Sequence, residues 1–518
     1  MLEKIIKWLQ NPATYDFKSG EIKTIHTHIS VVILTGDYAI KIKKPVNFGF
    51  LDFDSLSKRQ VFCSDEIRLN SILSPDIYLK VIKIYYDKNN DSFNFDGNGE
   101  IVEYAVKMRR FSQQNLFSNL LDNNKINNDL IHKLSTKIGY FHLNGKNSAD
   151  DFGTFENVSA PMLDNFITIK DLLDDKNDNK IIIELENLTK NELQKSKEII
   201  KKRANNHKIK ECHGDMHTNN IAIFNDELQI FDCIEFNPYF SNIDVINDFA
   251  FLYMDLQIKE KPVLASLLLN LYFNQTYDFE GLKLLKLYAG YRAVVRAKIA
   301  TLTAGDSSIS SAKKNELKQE YNKYINYALS QFNNTQQQNL IIMSGFSGTG
   351  KSKVSQILLK TGNFIRLQTD NHRKVLLKNT PKNELYSKEN INKVYQSLIK
   401  ITKQCYDAGF SVIIDGAFLK QSERDLFYNL SLQLKVKFKI LSIVCNEETA
   451  CKRITVRAKE QDNISDATCE VLKMQIKNYE DFNLQEKKFL TTIDAQKYDV
   501  VKIKEQLKKI NCHNETGG

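Results

Sequence analysis

Proline, glycine and tryptophan are scarce in this chain of 518 residues, which has seven prolines, 20 glycines and one tryptophan. So little proline and glycine excludes collagen-like proteins and chains dominated by flexible linkers. No stretch approaches the roughly 18 to 20 uninterrupted apolar residues that a membrane helix needs. The first residues also lack an apolar core followed by a cleavage site. We therefore expect a cytoplasmic protein with no membrane partner.

Cysteine is sparse as well, and the eight cysteines form no CxxC pair. Zinc sites and disulfide-stapled domains are recognised by closely or regularly spaced cysteines. Cytoplasmic proteins also keep most of their thiols reduced. We therefore expect free thiols rather than disulfides or a zinc site.

Apolar and charged residues, by contrast, are plentiful, at 42% and 26% of the chain. This composition excludes wholesale disorder, and the length suggests two to four domains at roughly 100–200 residues each. The net charge of +9 hints at a nucleic-acid partner. Residues 336–518 hold 30 basic and 20 acidic residues, however, whereas residues 1–335 hold 42 and 43. The positive excess therefore belongs to the last third of the chain.

The sharpest change in composition is the polar segment 331–338, which has no periodicity and precedes an apolar run at 340–343. We interpret it as a linker between a domain at 1–330 and a domain at 339–518. Alternating strand-like patterns dominate the beginning of the first domain and helical periodicity dominates the rest. This order predicts a bilobal α+β domain.

One motif in the first domain has the parts that phosphoryl transfer to a hydroxyl needs. It consists of His213-Gly214-Asp215, then Asn220, then Asp232 after a predicted hairpin. Asp215 is the candidate catalytic group that accepts or orients the hydroxyl proton. Asn220 and Asp232 are candidate magnesium ligands, because hard oxygen atoms suit that ion.

The same chemistry requires a cation on the phosphates that is braced by a carboxylate. Lys41 ends a predicted strand with the sequence Ala-Ile-Lys, and Glu66 lies on the helix that follows. Lys43 is on the same face of that strand, because side chains alternate along it. The sequence therefore leaves Lys41 and Lys43 as alternatives for the phosphate lysine.

These motifs, with the segments 38–46 and 231–236, resemble the aminoglycoside phosphotransferase and choline-kinase-like group of the protein-kinase-like fold. They resemble in particular a bacterial subfamily in which this domain is fused to a P-loop domain. The resemblance implies a small-molecule kinase that uses ATP and Mg²⁺. This chain departs from the kinase pattern in having no G-x-G-x-x-G loop, and the segment 27–30 would take its place.

The second domain opens with an apolar strand, a glycine-rich loop and an amphipathic helix. The loop has the form G-x-x-x-x-G-K-[ST], which is the P-loop pattern in its required strand–loop–helix context. Its candidate nucleotide-binding residues are Gly345, Gly348, Gly350, Lys351 and Ser352. Main-chain N–H groups of such a loop wrap the phosphates, the lysine reaches the outer phosphates, and the hydroxyl can bind magnesium.

Downstream residues suggest what the P-loop serves. Asp370 follows a predicted strand and is a candidate base or acceptor-binding group, and Asp415 ends another strand as a candidate magnesium ligand. Arg453 and Arg457 are four residues apart on a predicted helix, hence on one face, and are candidates to stabilise the transferring phosphate. This set resembles adenylate-kinase-like P-loop kinases, which implies an α/β fold with a parallel sheet.

We therefore expect an ATP-dependent phosphotransferase whose partners are ATP, Mg²⁺ and a small-molecule hydroxyl acceptor. Two alternatives stay open at this point. The basic second domain could phosphorylate nucleic-acid ends, although no interleaving of aromatic and basic residues supports a single-strand platform. It could instead be a P-loop ATPase switch that regulates the first domain.

Overall fold

A computed structural model of the chain describes residues 1–49, 51–173, 176–333, 337–381, 384–458 and 468–497, with 499, 501, 503, 505 and 506. Two units separate by their internal packing. The first unit comprises Met1–Glu260 and Leu287–Phe332, and the second comprises Lys261–Lys286 and Asn333–Gly518. Part of the predicted linker, 334–336, lies outside the described residues.

The first unit begins with an antiparallel sheet of six strands among the described residues, in the order β1-β2-β3-β6-β4-β5. These strands are β1 (Lys23–His26), β2 (Ser30–Thr35), β3 (Tyr38–Lys43), β4 (Tyr78–Asp87), β5 (Ser92–Asn94) and β6 (Glu100–Arg109). Gly36 makes the turn between β2 and β3 at φ +53°, where an added Cβ would lie 2.4 Å from the Lys18 carbonyl oxygen.

Two helices cover the faces of this sheet, α1 (Leu2–Leu9) and α2 (Leu56–Leu73). Ile40 and Ile42 of β3 pack in a core with α1, whereas Ala39 packs in a separate core with Cys63 of α2. Because strand side chains alternate between faces, Lys41 and Lys43 share the face of Ala39. The fold therefore directs both lysines toward the helix that carries Glu66.

A mainly helical part follows the sheet. Its elements, in chain order, are α3 (Phe117–Asp122), α4 (Asn128–Asn144), α5 (Phe155–Leu172), α6 (Lys176–Asn205), β7 (Ile209–Glu211), the hairpin β8 (Ile221–Phe224) and β9 (Glu227–Ile230), α7 (Pro238–Ser241), β10 (Asn242–Asp244), α8 (Val245–Ile258), α10 (Leu282–Ala304) and α11 (Ser311–Phe332). Helix α9 (Pro262–Thr276) lies between α8 and α10 in the chain but is part of the second unit. Strands β7 and β10 pair with each other. A strand lobe followed by a helical lobe confirms the predicted bilobal α+β class.

The second unit is built on a parallel sheet in the order β12-β13-β11-β14-β15. Its elements are β11 (Asn339–Ser344), α12 (Lys351–Leu359), β12 (Phe364–Gln368), α13 (Thr369–Leu376), α14 (Lys388–Asp407), β13 (Ser411–Asp415), α15 (Gln421–Leu434), β14 (Lys437–Val444), α16 (Glu447–Arg457), α17 (Cys469–Lys477) and β15 (Leu490–Asp494). The near-continuous burial of β11 and β13 is typical of strands covered on both faces. The predicted α/β class with a parallel sheet is confirmed.

Helix α9 belongs to the second unit, although the predicted domain limits place it before the linker. It lies along β12, which is an edge strand. The Asn270 side chain accepts from the Arg366 N–H (2.7 Å) and donates to the Phe364 carbonyl (2.9 Å). Asn274 donates to the Arg366 carbonyl at 3.1 Å. Two asparagine side chains therefore make hydrogen bonds to the backbone of β12 that a further strand would otherwise make. These bonds protect an edge that would be left unpaired.

Cysteine pairing differs from the sequence-based expectation. Cys451 of α16 and Cys469 of α17 are joined by a disulfide, with their Cα atoms 5.3 Å apart. The expectation of free thiols is therefore wrong for this pair. The two cysteines are 18 residues apart and match no motif, but the helices that carry them pack together in the fold. Five further described cysteines are free. No helix in the described part of the chain has the length and apolar character to cross a membrane.

The asparagine contacts with β12 predict a stability effect. Asn270→Ala leaves the Arg366 N–H and the Phe364 carbonyl buried without partners, and each such group costs about 1–3 kcal/mol. We expect the second unit to lose about 2–4 kcal/mol of unfolding free energy, measured by scanning calorimetry of the full chain. Val263→Ala, on the exposed side of α9, is the matched control. An Asn270→Ala protein that unfolds at the wild-type temperature would contradict the assignment.

Candidate active sites

The loop between β7 and β8 carries the first motif, and a buried carboxylate holds it. Asp248 of α8 accepts from the N–H groups of His213 (3.1 Å) and Gly214 (2.8 Å), and it also contacts the His142 imidazole at 3.1 Å. Gly214 has φ +83°, and an added Cβ would lie 2.7 Å from the Phe240 carbonyl oxygen. The backbone of the loop is therefore set by one carboxylate and one glycine.

Asp215 and Asn220 face each other across this loop. The Asn220 amide donates to the Asp215 carbonyl (3.0 Å) and carboxylate (3.1 Å), and the His217 imidazole lies 3.3 Å from the same carboxylate. Burial alone would raise the pKa of Asp215, but the charges of His217, His213 and Arg296 hold it below its usual range. Asp215 is therefore ionised at neutral pH and can accept a hydrogen bond from a hydroxyl group.

Asp232 joins this loop to the strand lobe. It follows β9 in the left-handed conformation, at φ +65°. The preceding Phe231 N–H donates to the Asn220 carbonyl at 2.9 Å. The Asp232 carboxylate lies 2.8 Å from the Lys41 ammonium, which is also 2.8 Å from Glu66. The structure therefore brings Lys41, Glu66, Asn220 and Asp232 together.

Lys41 and Lys43 have different surroundings. The Lys43 side chain is 1% exposed and pairs with Glu66 (2.7 Å) and with Glu235, itself buried. Lys41 is 13% exposed and contacts the half-exposed carboxylate of Asp232. Burial alone would raise the pKa of Glu66, but the two lysines lower it to about 2. Glu66 therefore holds both cations, and of the two lysines Lys41 is the more exposed.

The second motif forms a P-loop between β11 and α12. Gly345, Gly348 and Gly350 all have φ in the region that favours glycine, at +140°, +80° and +103°. An added Cβ would lie 2.4 Å from the Ile443 carbonyl oxygen at Gly345 and 2.3 Å from the Ala450 carbonyl oxygen at Gly348. The loop therefore requires these glycines both for its conformation and for the close approach of its neighbours.

Lys351 and Ser352 begin α12, directly after this loop. The Lys351 ammonium donates to the carbonyls of Gly345 (2.8 Å) and Phe346 (2.7 Å). Burial lowers the pKa of Lys351 to about 8, against the opposing charges of Asp415 and Asp370. Ser352 is exposed on the first turn of the helix. The lysine therefore folds back onto its own loop.

Asp415 ends β13 beside the start of the P-loop, as the sequence suggests, but it has a partner that sequence reasoning missed. Arg366 of β12 donates to its carboxylate from Nε (3.0 Å) and Nη2 (2.8 Å), and Ser355 approaches at 3.1 Å. Asp370, on the first turn of α13, pairs with Arg373 at 2.8 Å. Arg366 lies in an apolar strand and belongs to no recognised motif, so its contact with Asp415 could not be predicted from the sequence.

The two candidate arginines of α16 have different contacts. Arg453 donates to three backbone carbonyls, those of Thr349 (3.2 Å), Ala495 (2.7 Å) and Gln496 (3.2 Å). The Nε atom of Arg457 is buried and has no hydrogen-bond partner among the described residues. The charge of Arg457 also contributes to the lowered pKa of Lys351. Arg453 therefore braces the loop, whereas Arg457 lies within electrostatic range of the P-loop lysine.

Known proteins are similar to the P-loop segment and to most of the chain. Residues 340–482 match the family described as AAA domain. An uncharacterized protein of Mycobacterium tuberculosis is 26% identical over 458 residues, which are 86% of this chain and 87% of that protein.

Two solved structures are similar to different parts of the chain. A choline/ethanolamine kinase family protein from Mesorhizobium loti is 10% identical with a TM-score of 0.35, and the match covers 63% of this chain and 98% of that one. A gluconokinase from Sinorhizobium meliloti is 17% identical with a TM-score of 0.25, covering 33% and 93%. The P-loop described above lies inside the segment that matches the AAA domain family, and this segment follows a unit in which an antiparallel sheet precedes a mainly helical part.

Proposed function

We propose that each unit binds ATP with Mg²⁺ and transfers its γ-phosphoryl group to a hydroxyl acceptor, a small molecule in the case of the first unit. The observation that carries this proposal is the convergence of Lys41, Glu66 and Asp232 beside the loop of Asp215 and Asn220. Kinase-like architecture in both units supports phosphotransferase activity in general. Phosphoryl transfer depends mainly on positioning and on charge stabilisation, and these residues supply both.

In the first unit, Lys41 would hold the phosphates while Glu66 fixes its position. Asp215 is ionised and would accept the hydrogen bond of the acceptor hydroxyl, which orients that oxygen for attack. Asn220 and Asp232 fit Mg²⁺, because they offer amide and carboxylate oxygens and the Asp232 side chain is 49% exposed. Bound magnesium would neutralise charge on the phosphates.

In the second unit, the P-loop N–H groups and Lys351 would hold the phosphates. Ser352 and Asp415 are the candidate magnesium ligands. Arg366 already balances the charge of Asp415, so the exposed Ser352 hydroxyl is the better supported of the two. Arg457 would stabilise charge on the transferring group, with Arg453 bracing the loop. Asp370 would contact the acceptor hydroxyl from the end of β12.

Lysine substitutions test the first site. In a Lys351→Met background, which disables the P-loop, we expect Lys41→Met to abolish ATP-dependent phosphoryl transfer, because the phosphates lose their cation. The measurement is γ-phosphate consumption and transfer by the full chain across a panel of hydroxyl metabolites. Lys23→Met, at an exposed position of β1, is the control and should retain the activity. Equal activity in the Lys41→Met and Lys23→Met proteins would contradict the proposal.

The same series separates Lys41 from Lys43. Lys43→Met leaves Glu66 and Glu235 buried around a missing cation, and breaking a buried pair costs about 3–5 kcal/mol. Lys41→Met leaves Glu66 still paired with Lys43. We therefore expect Lys43→Met to lose stability and Lys41→Met to lose activity, and the reverse pattern would make Lys43 the phosphate lysine.

The lowered pKa of Lys351, about 8, predicts the pH dependence of nucleotide binding in the second unit. The lysine is charged below this pH and neutral above it, so it attracts phosphate only on the acid side. In a Lys41→Met background we expect the dissociation constant for ATP to be constant up to about pH 8. Above that it should rise, by up to about tenfold per pH unit for one linked proton.

The measurement is an ATP titration between about pH 7 and about pH 10. Lys353→Met, an exposed neighbour on α12, is the matched control and should show the same profile as the parent. A dissociation constant that stays flat to about pH 9.5 would overturn the assignment of Lys351 as the phosphate-binding cation.

A further inference from the structure

The P-loop of the second unit is held from outside by two helices. Helix α16 supplies Arg453, which donates to the Thr349 carbonyl at 3.2 Å. Helix α17 supplies Gln475, whose side-chain oxygen accepts from the Ser347 N–H at 2.8 Å. Ser347 is the third residue of the loop and Gln475 lies 128 residues further along the chain, so no spacing pattern predicts their contact.

These contacts occupy groups that a P-loop offers to phosphate. Such a loop binds an oxyanion through main-chain N–H groups and a lysine ammonium. The Ser347 N–H is taken by Gln475, and the Lys351 ammonium is taken by the carbonyls of Gly345 and Phe346. These two groups of the loop therefore already have partners within the protein, and an incoming phosphate that uses the Ser347 N–H must displace Gln475.

The apolar contact between α16 and α17 is small. Its buried members are Ala450, Ile454 and Leu472, with Phe346 of the P-loop packed against them. So little buried area supplies only a few kcal/mol at most, at about 25 cal/mol per Å². The chain just after α17 is held separately, because Arg424 donates to the Glu480 carbonyl at 3.1 Å and the Tyr479 ring contacts that of Phe346. The position of the earlier part of α17 therefore depends on what else joins the two helices.

The disulfide between Cys451 and Cys469 is such a link. Cys451 lies two residues before Arg453 on α16, and Cys469 is the first residue of α17, six residues before Gln475. Both cysteines are half-buried, so a small thiol can reach the bond. The covalent link raises the effective concentration of Gln475 at the loop, as any tether does for the group that it carries.

We propose that Cys451 and Cys469 form a thiol–disulfide modification site that controls access of nucleotide to the P-loop. In the disulfide form, α17 is tied to α16 and Gln475 stays on the Ser347 N–H. In the dithiol form, the amino-terminal end of α17 is no longer tied to α16, Gln475 leaves the Ser347 N–H, and this N–H becomes available to phosphate. The inference rests on the proposed nucleotide binding by the second unit.

The exchange needs a thiol or disulfide of low molecular weight as co-reactant. In the reducing direction, a small dithiol attacks the Cys451–Cys469 bond, supplies two electrons and two protons, and leaves as its own cyclic disulfide while the protein gains two thiols. In the oxidising direction, the two protein thiols reduce a small disulfide to two thiols and form the Cys451–Cys469 bond. Both steps balance without a metal or a further oxidant.

The test compares the two redox forms of the full chain in a Lys41→Met background, so that only the P-loop site binds ATP. Thiol titration verifies each form. We expect the reduced form to bind ATP about two- to tenfold more tightly, the range that the loss of one competing hydrogen bond gives. The Cys451→Ser/Cys469→Ser protein should bind as tightly as the reduced form under both conditions.

Substitution of Gln475 tests whether the disulfide acts through this side chain. Gln475→Ala should bind ATP tightly in both redox forms, whereas Lys473→Ala, an exposed neighbour on α17, should keep the full redox difference. Equal affinity of the two forms in the parent would overturn the proposal. A redox difference that survives in Gln475→Ala would overturn it as well, since the disulfide would then act by another route.

Hydrogen exchange of the P-loop peptide, 345–351, provides a readout without nucleotide. Reduction should speed exchange in the parent and leave Gln475→Ala unchanged, because only the parent has the Gln475 contact to lose. Absence of ATP binding in both forms would refute the proposed nucleotide site. In that case the exchange measurement alone would show whether the disulfide controls the contact of Gln475 with the loop. Identical exchange in the oxidised and reduced parent would refute that link.

Discussion

A buried carboxylate needs a cation beside it, and this requirement organises both sites of the protein. In the first unit, Glu66 is fully buried and is balanced by Lys41 and Lys43. In the second unit, Asp415 is buried and balanced by Arg366. An uncompensated charge at either place would cost several kcal/mol. The ion pairs therefore favour the positions of β3 and β12 in which their cations reach these carboxylates. The same pairs position the residues that we propose to bind phosphate.

The second constraint is the conformation of the backbone in the two loops, which requires glycine at specific positions. The loop of the first unit turns at Gly214 so that two N–H groups reach the buried Asp248. The P-loop turns at Gly345, Gly348 and Gly350, two of which also lie against carbonyl oxygens of β14 and α16. In both units a short segment of backbone is shaped by contacts with the rest of the protein before any ligand binds, which is the kind of preorganisation that phosphoryl transfer requires.

Much of this arrangement could be predicted from the sequence, because the relevant residues lie in local motifs. Asp215, Asn220 and Asp232 are joined by one loop and one hairpin, so their spacing alone brings them together. Lys41 and Lys43 could not be separated in this way, since they share one face of a strand and differ in their tertiary contacts, Lys41 with Asp232 and Lys43 with Glu235.

Other features depend on tertiary contacts that have no local signal. The pattern of α9 indicates a buried face, but not that Asn270 pairs with the edge of a sheet about 100 residues further along the chain. Cys451 and Cys469 are 18 residues apart and match no motif, so their disulfide could not be predicted from the sequence. The contact of Gln475 with the P-loop likewise exists only because α16 and α17 pack together. Long-range pairs of this kind become visible only in the folded chain.

We propose that one chain carries two independent nucleotide sites. The most direct test is the stoichiometry of binding of a non-hydrolysable ATP analogue with Mg²⁺ to the full chain, measured by calorimetric titration. We predict two nucleotides per chain, falling to one in Lys41→Met, to one in Lys351→Met and to none in the double variant. A single nucleotide per wild-type chain, unaffected by one of these substitutions, would contradict the account.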